Sequence, residues 1–99
     1  MNRNVSYHHL AEIELNEAAE YYDRESPGLG VTFLKEVERA VEHILELPEG
    51  SPRVTRTVRR KLLRRFPYGI LYSLRPNEVR ILAIMNQKRR PFYWRDRGS

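Results

Sequence analysis

An α+β domain of order β-α-α-β-β-β is the fold this sequence predicts, with a helix hairpin packed on one face of a small, mainly antiparallel sheet. Three observations predict it. Two neighbouring stretches in the first half repeat their apolar residues at helical spacing. Two apolar stretches in the second half are joined by Pro76-Asn77, a pair suited to the turn of a hairpin. A short alternating segment precedes the first helix.

Taken in order, residues 4–8 read as a strand, with Val5 and Tyr7 alternating against Asn4 and Ser6. A helix is predicted over 9–24, because Ala11, Leu15, Ala18 and Tyr22 form one stripe, widened by Ile13 and Tyr21. Its carboxylates are expected to face solvent. Ser26-Pro27 suits an N-cap followed by proline in the first turn of a second helix. That helix runs to about Leu47 on the stripe Phe33, Val37, Ala40 and Ile44, and Pro48 and Gly50 end it. After a loop over 49–57, residues 58–65 are a candidate strand whose firm apolar residues are Leu62 and Leu63. Ile70, Tyr72 and Leu74 alternate in the next strand. In the return strand Val79, Ile81, Ala83 and Met85 oppose Leu82 and Ile84, so both faces are apolar and the strand should be central. Phe66 and Tyr72 are expected in the core, Tyr68 half in and half out, and Tyr93 as the most exposed aromatic. Trp94 fits an anchor for the tail as well as it fits a ligand contact.

The chain of 99 residues, 40% apolar, is expected to make one domain spanning 1–99, burying roughly 65% of the unfolded chain's surface. It has no cysteine, which excludes disulfides and thiolate chemistry. No apolar run approaches the ~18 residues of a membrane span, so a cytoplasmic protein with no membrane partner is expected. The charge is divided sharply: residues 1–50 carry −7 and residues 51–99 carry +12, within a net +5. That division indicates where a partner sits rather than what the fold is.

Sites for standard chemistry are missing from the pattern. His8 and His9 are adjacent and would point to opposite faces of a strand, and His43 has no carboxylate–histidine spacing around it. No metal and no cofactor are therefore expected. There is no glycine-rich phosphate loop and no serine with a histidine placed to activate it, which disfavours a hydrolase of common type. What remains is basic. Arg56, Arg59, Arg60, Lys61, Arg64 and Arg65 exceed what a guarded edge strand needs. Such a run binds nucleic-acid phosphates or an acidic protein segment equally well. A second basic stretch, residues 88–99, interleaves Arg89, Arg90 and Arg95 with Phe92, Tyr93 and Trp94.

The chain resembles the RelE/ParE superfamily of toxins from bacterial type II toxin–antitoxin and plasmid-stabilisation systems. The resemblance covers about residues 5–97. It rests on Ala11-Glu12, Glu14-Leu15, Glu17-Ala18 and Tyr21-Tyr22, then Pro27-Gly28-Leu29-Gly30 with Phe33 and Pro48. It continues in Arg65-Phe66-Pro67-Tyr68, Ile70, Tyr72 and Ile81-Leu82-Ala83-Ile84, and ends in Arg89-Arg90-Pro91, Tyr93-Trp94 and Arg97. It implies the same β-α-α-β-β-β fold, a toxin that arrests growth, and a cognate antitoxin that covers part of the basic half in a hetero-oligomeric complex.

Two branches of the superfamily imply different targets. The ParE-like branch, favoured here, poisons DNA gyrase without being an enzyme itself. The RelE-like alternative is a metal-independent, ribosome-dependent mRNA endonuclease. In that case Arg59, Lys61 and Arg89 would grip phosphates, and Tyr93 would act as acid/base or stack on a base. This chain has Asn86 where relatives with this ending carry histidine, and lacks the nuclease branch's arginines at Gly69 and near Gln87, which weakens the nuclease reading. The expected target- or antitoxin-binding residues are Arg59, Arg60, Lys61, Arg64, Arg65, Tyr68, Arg89, Arg90, Tyr93, Trp94 and Arg95. An inert toxin-fold protein that only binds its partner is the third reading.

Overall fold

The element order expected from periodicity is the one observed. The computed structural model describes residues 3–97. They form strand β1 (Asn4–Tyr7), helices α1 (His9–Glu25) and α2 (Leu29–Glu46), strands β2 (Val58–Leu62), β3 (Tyr68–Arg75) and β4 (Glu78–Asn86), and a closing 3-10 turn (Arg95–Arg97). His8 starts α1: its Nδ1 accepts from the Leu10 N–H at 3.0 Å, satisfying one of the free donors of the first turn.

Ser26 does not cap the second helix as the Ser26-Pro27 pair suggests. It ends α1, with its N–H on the Tyr22 carbonyl, and Gly28 caps α2 at φ 90°, a left-handed conformation that glycine adopts without a Cβ clash. The missing cap oxygen comes from the preceding helix. Asp23 Oδ1 accepts from the N–H groups of Gly28 and Gly30 at 3.1 and 2.9 Å. Gly30 is also where the helices touch, since a Cβ there would lie 2.4 Å from the Ala19 carbonyl oxygen. Gly30→Ala is therefore expected to cost about 1–3 kcal/mol by forcing the helices apart, measurable by urea titration.

The sheet order is β1-β4-β3-β2, with β1 parallel to β4 and the other pairs antiparallel. β4 is central over its first half, as its two apolar faces require. Its faces do not alternate as expected, however. A β-bulge opposite Leu71 and Tyr72 makes Leu82 an extra residue and shifts the phase of residues 83–86. Ile84 consequently joins Val79 and Ile81 under the helices, while Ala83 and Met85 join Leu82 on the opposite face.

The helix side holds the main core, built on Phe33, Val37, Ile44, Ile70, Tyr72 and Phe66, with Tyr68 half-buried against it. Tyr72 reaches through that layer and donates to the Pro48 carbonyl at 2.8 Å, fixing the end of α2 over the sheet. The other face is covered by the C-terminal segment, with Val54 of the loop before β2 beside it. Trp94, 4% exposed, lies there on Val58, Leu71, Leu82, Ala83 and Met85. The indole is thus an anchor. The exposed aromatics include Tyr21, at 48%, and Phe92, at 42%, but not Tyr93, which packs against this smaller core.

Candidate functional site

Two basic surfaces emerge, and the fold places them on different parts of the molecule. The first is built on β2. This strand ends at Leu62, earlier than expected, because the chain turns so that Glu36 of α2 can receive the backbone N–H groups of Arg64 and Arg65 at 2.8 and 3.0 Å. The Arg65 Nε–H adds a third bond, at 3.2 Å to the other carboxylate oxygen. Lys61, Arg64 and Arg65 then line an open groove of about 460 Å³ with Arg39 and His43 of α2. β2 is the last strand of the sheet, and Arg60 turns its N–H outward to the Pro52 carbonyl at 3.0 Å. Leu62, two residues on, presents its backbone on that same outer edge.

Glu36 is one of two carboxylates that break the expectation of solvent-facing acids. Burial alone would raise its pKa. The hydrogen bonds from Arg65 and Arg64, with the Arg65 charge, outweigh that and hold it below its ordinary value of 4.5. A depressed carboxylate contributes stability that is present above its unfolded pKa and disappears as pH falls through the folded one. Wild-type protein is expected to lose stability on acidification below about pH 4.5, and Glu36→Gln to flatten that part of a stability–pH curve.

The second surface is the C-terminal segment. Asn86 Oδ1 accepts from the Lys88 N–H at 2.8 Å, and the Arg89 N–H returns to the Asn86 carbonyl at 3.0 Å, so an asparagine turn follows β4. Phe92 holds φ at 63°, unusual for a bulky residue, and this swings its ring outward as Trp94 goes in. Arg89 stacks 3.9 Å from the centre of the Tyr93 ring, and Arg95 lies 5.1 Å from that of Phe92. Arg89, Arg90 and Arg95 are exposed, and among the described residues none makes a salt bridge. They border an open recess of about 630 Å³.

The expected site residues do not converge on one spot. Arg59 and Lys61 lie on the helix side of β2, where Arg59 donates to the Glu49 and Ser51 carbonyls at 3.0 and 2.7 Å. Arg60 lies on the opposite face, its stem over Gly69, and shares a small recess with Arg89 and Trp94. Its Nε is buried without a hydrogen-bond partner in the described structure. Tyr68 packs its ring 5.1 Å from Phe33. Tyr93 donates its hydroxyl to Glu14 Oε2 at 2.8 Å. Burial first, then that hydrogen bond and the Glu14 charge, push the phenol's pKa well above its usual 10.0. Arg59 and Lys61 are thus separated from Arg89 and Tyr93 by the sheet. Among the described residues no group of acidic and histidine side chains is placed to hold a metal, and no helix is long and apolar enough to cross a membrane.

Glu14 and Glu36 are the acids that charge patterning misassigns to solvent, whereas Asp23 is exposed as expected and serves as a cap. The signal for the first two is positional: Glu14 sits three residues after Ala11 and four before Ala18, and Glu36 three after Phe33 and four before Ala40. Each is a carboxylate on the buried stripe.

With two-layer fold, bulged central strand and basic tail in view, comparison with known proteins gives one decisive match. A model of the family described as "ParE toxin of type II toxin-antitoxin system, parDE" matches residues 5–91. The chain belongs to the ParE toxin family. A solved structure from the chromosomal ParDE toxin–antitoxin system of P. aeruginosa shares the fold with a TM-score of 0.75. It is 18% identical, and the match covers 85% of this chain and 95% of that one. Among curated proteins, none matches this chain. The family match ends at Pro91, so the aromatic and basic residues 92–97 of this ParE family member lie beyond it.

Proposed function

We propose that this ParE-family protein is a growth-arresting toxin that poisons DNA gyrase, acting in the cytoplasm and neutralised by a cognate antitoxin. The observation that carries the reading is the second surface: three exposed arginines and an outward phenyl ring held on a tail that Trp94 fixes to the sheet. Such a surface suits docking on a large acidic or nucleic-acid-laden target more than catalysis on a bound substrate. Separation of Arg59 and Lys61 from Tyr93, and the engagement of the Tyr93 hydroxyl by Glu14, give the mRNA-endonuclease alternative no assembled set of catalytic groups.

We place the antitoxin on the first surface. Lys61, Arg64, Arg39 and the open edge at Leu62 suit an extended acidic segment that adds backbone bonds and charge pairs together. Lys61→Glu is expected to weaken antitoxin binding about tenfold in a titration, with growth arrest by the toxin alone unchanged.

The test of function is pulse-labelling of DNA and protein synthesis in the minutes after induction without antitoxin, together with supercoiling by purified gyrase. DNA synthesis should fall first, and supercoiling should be inhibited with cleaved DNA accumulating. Early collapse of protein synthesis with unaffected gyrase would replace this reading with the nuclease one, and normal growth would leave only partner binding.

A further inference from the structure

β1 is too short for the strand it pairs with. Its last residue, Tyr7, is in register with Ile81, and the His8 N–H reaches the Ile81 carbonyl at 2.8 Å, while β4 continues to Asn86. Beyond Ile81 that edge of β4 has no strand beside it. Leu82 and Ile84 are nonetheless buried, so their outward C=O and N–H groups need partners. Two side chains from opposite ends of the sequence supply them. Glu14 Oε1 accepts from the Ile84 N–H at 3.0 Å, and Arg97 Nη1 donates to the Leu82 carbonyl at 3.2 Å.

The two side chains also grip each other. Arg97 Nη1 meets Glu14 Oε1 and Arg97 Nη2 meets Glu14 Oε2, both at 2.9 Å, a two-pronged pair with each side chain nearly buried. The Tyr93 hydroxyl takes the remaining place on Oε2 at 2.8 Å. One carboxylate therefore joins α1, the bulged part of β4 and two points of the tail. Arg89 lies on the ring whose hydroxyl Glu14 holds.

We propose that Glu14 is a positioning residue for the toxin's target-binding surface: it sets the path of residues 87–97 and hence the orientation of Arg89, Arg90 and Arg95. This rests on the target-binding role proposed above for the tail. Trp94 holds the tail down at one point, and a single point permits rotation. The Glu14 clasp adds a polar contact on each side of Trp94 and removes that freedom. Loss of Glu14 leaves the buried Arg97 guanidinium with only the Leu82 carbonyl and the Ile84 N–H without an acceptor, so the tail is loosened from the edge while the indole remains in its pocket.

The experiment compares full-length wild type, Glu14→Gln and Glu14→Ala, each freed from its purified antitoxin complex. Three properties are read at a temperature well below unfolding: amide exchange at Ile84, tryptic cleavage after Arg89 and Arg95, and the concentration that inhibits gyrase. Glu14→Ala should exchange Ile84 at least about tenfold faster, and both variants should be cut in the tail at least about tenfold faster and need at least about tenfold more protein for inhibition, while amides in the β2–β3 pairing keep their protection. Glu14→Gln keeps the side-chain shape and an acceptor for Ile84, which guards against an effect of misfolding alone. A tail that stays protected in both variants overturns the proposal, as does a released tail with unchanged inhibition. Wild type that arrests growth without affecting gyrase removes the gyrase reading only; growth arrest by the same variants then decides the role of Glu14, and equal arrest overturns it. Wild type that arrests nothing overturns both.

Discussion

Trp94→Ala is expected to lower the unfolding free energy by about 3–5 kcal/mol, the usual cost of removing a buried indole. The tail-side core is small, with Val58, Leu71, Leu82, Ala83 and Met85 beneath the ring, so nothing nearby can collapse into the space. For a chain of this length each kcal/mol lowers the melting temperature by roughly 4–8 °C, so a fall of well over 10 °C is expected. Trp94→Phe, which keeps an aromatic ring over the same residues, should lose less than half as much. Trp94 is the only tryptophan, so its fluorescence disappears with the substitution and the measurement is far-UV circular dichroism against temperature. A melting temperature within a few degrees of wild type would mean that the tail does not cover the sheet.

Simultaneous replacement of Arg89, Arg90 and Arg95 by alanine is expected to have the opposite profile, with a large loss of function and a small change in stability. All three side chains are exposed and make no salt bridge among the described residues. Exposed substitutions of this kind typically change stability by no more than about 0.5 kcal/mol each. Removal of three charges from a docking surface slows association and weakens the complex, here by roughly a hundredfold if each arginine contributes about 1 kcal/mol. Growth arrest should vanish at expression levels where wild type stops growth, and gyrase inhibition by wild type should weaken as salt is raised. Antitoxin binding in the groove of Lys61 and Arg64 should persist. Full toxicity of the triple variant would remove the tail from the target surface.

The sequence makes the layers of this fold legible because their causes are local. The stripe through Phe33, Val37, Ala40 and Ile44 needs only its own spacing to show a buried helix face, and Pro76-Asn77 marks the β3–β4 turn with no knowledge of the rest. The illegible features depend on partners distant in sequence. The bulge at Leu82 shifts the faces of β4, and alternation alone cannot show an extra residue. Asp23 caps a helix other than its own, so Ser26 looks the better candidate from sequence. Glu14 reads as one solvated carboxylate among several until residues 84, 93 and 97 arrive beside it. The basic composition of the site is visible in the sequence throughout. Its division between an α2–β2 groove and a tail surface needs the sheet, which puts Lys61 and Arg89 on different faces.

The pairing of Asn4 with Glu78 has a bearing on how the protein comes into being on the ribosome. The two helices can form and dock as soon as they emerge, since their contacts and the Asp23 cap are near neighbours in sequence. The sheet must wait, because its first strand adds to its last. Arg97 then joins Glu14 from the opposite end of the chain. A nascent or prematurely ended polypeptide therefore lacks both the finished sheet and the ordered tail, and is expected to be harmless. Ordering of the tail is therefore expected only once Arg97 has been made, so any action that depends on the ordered tail follows the folding of both layers.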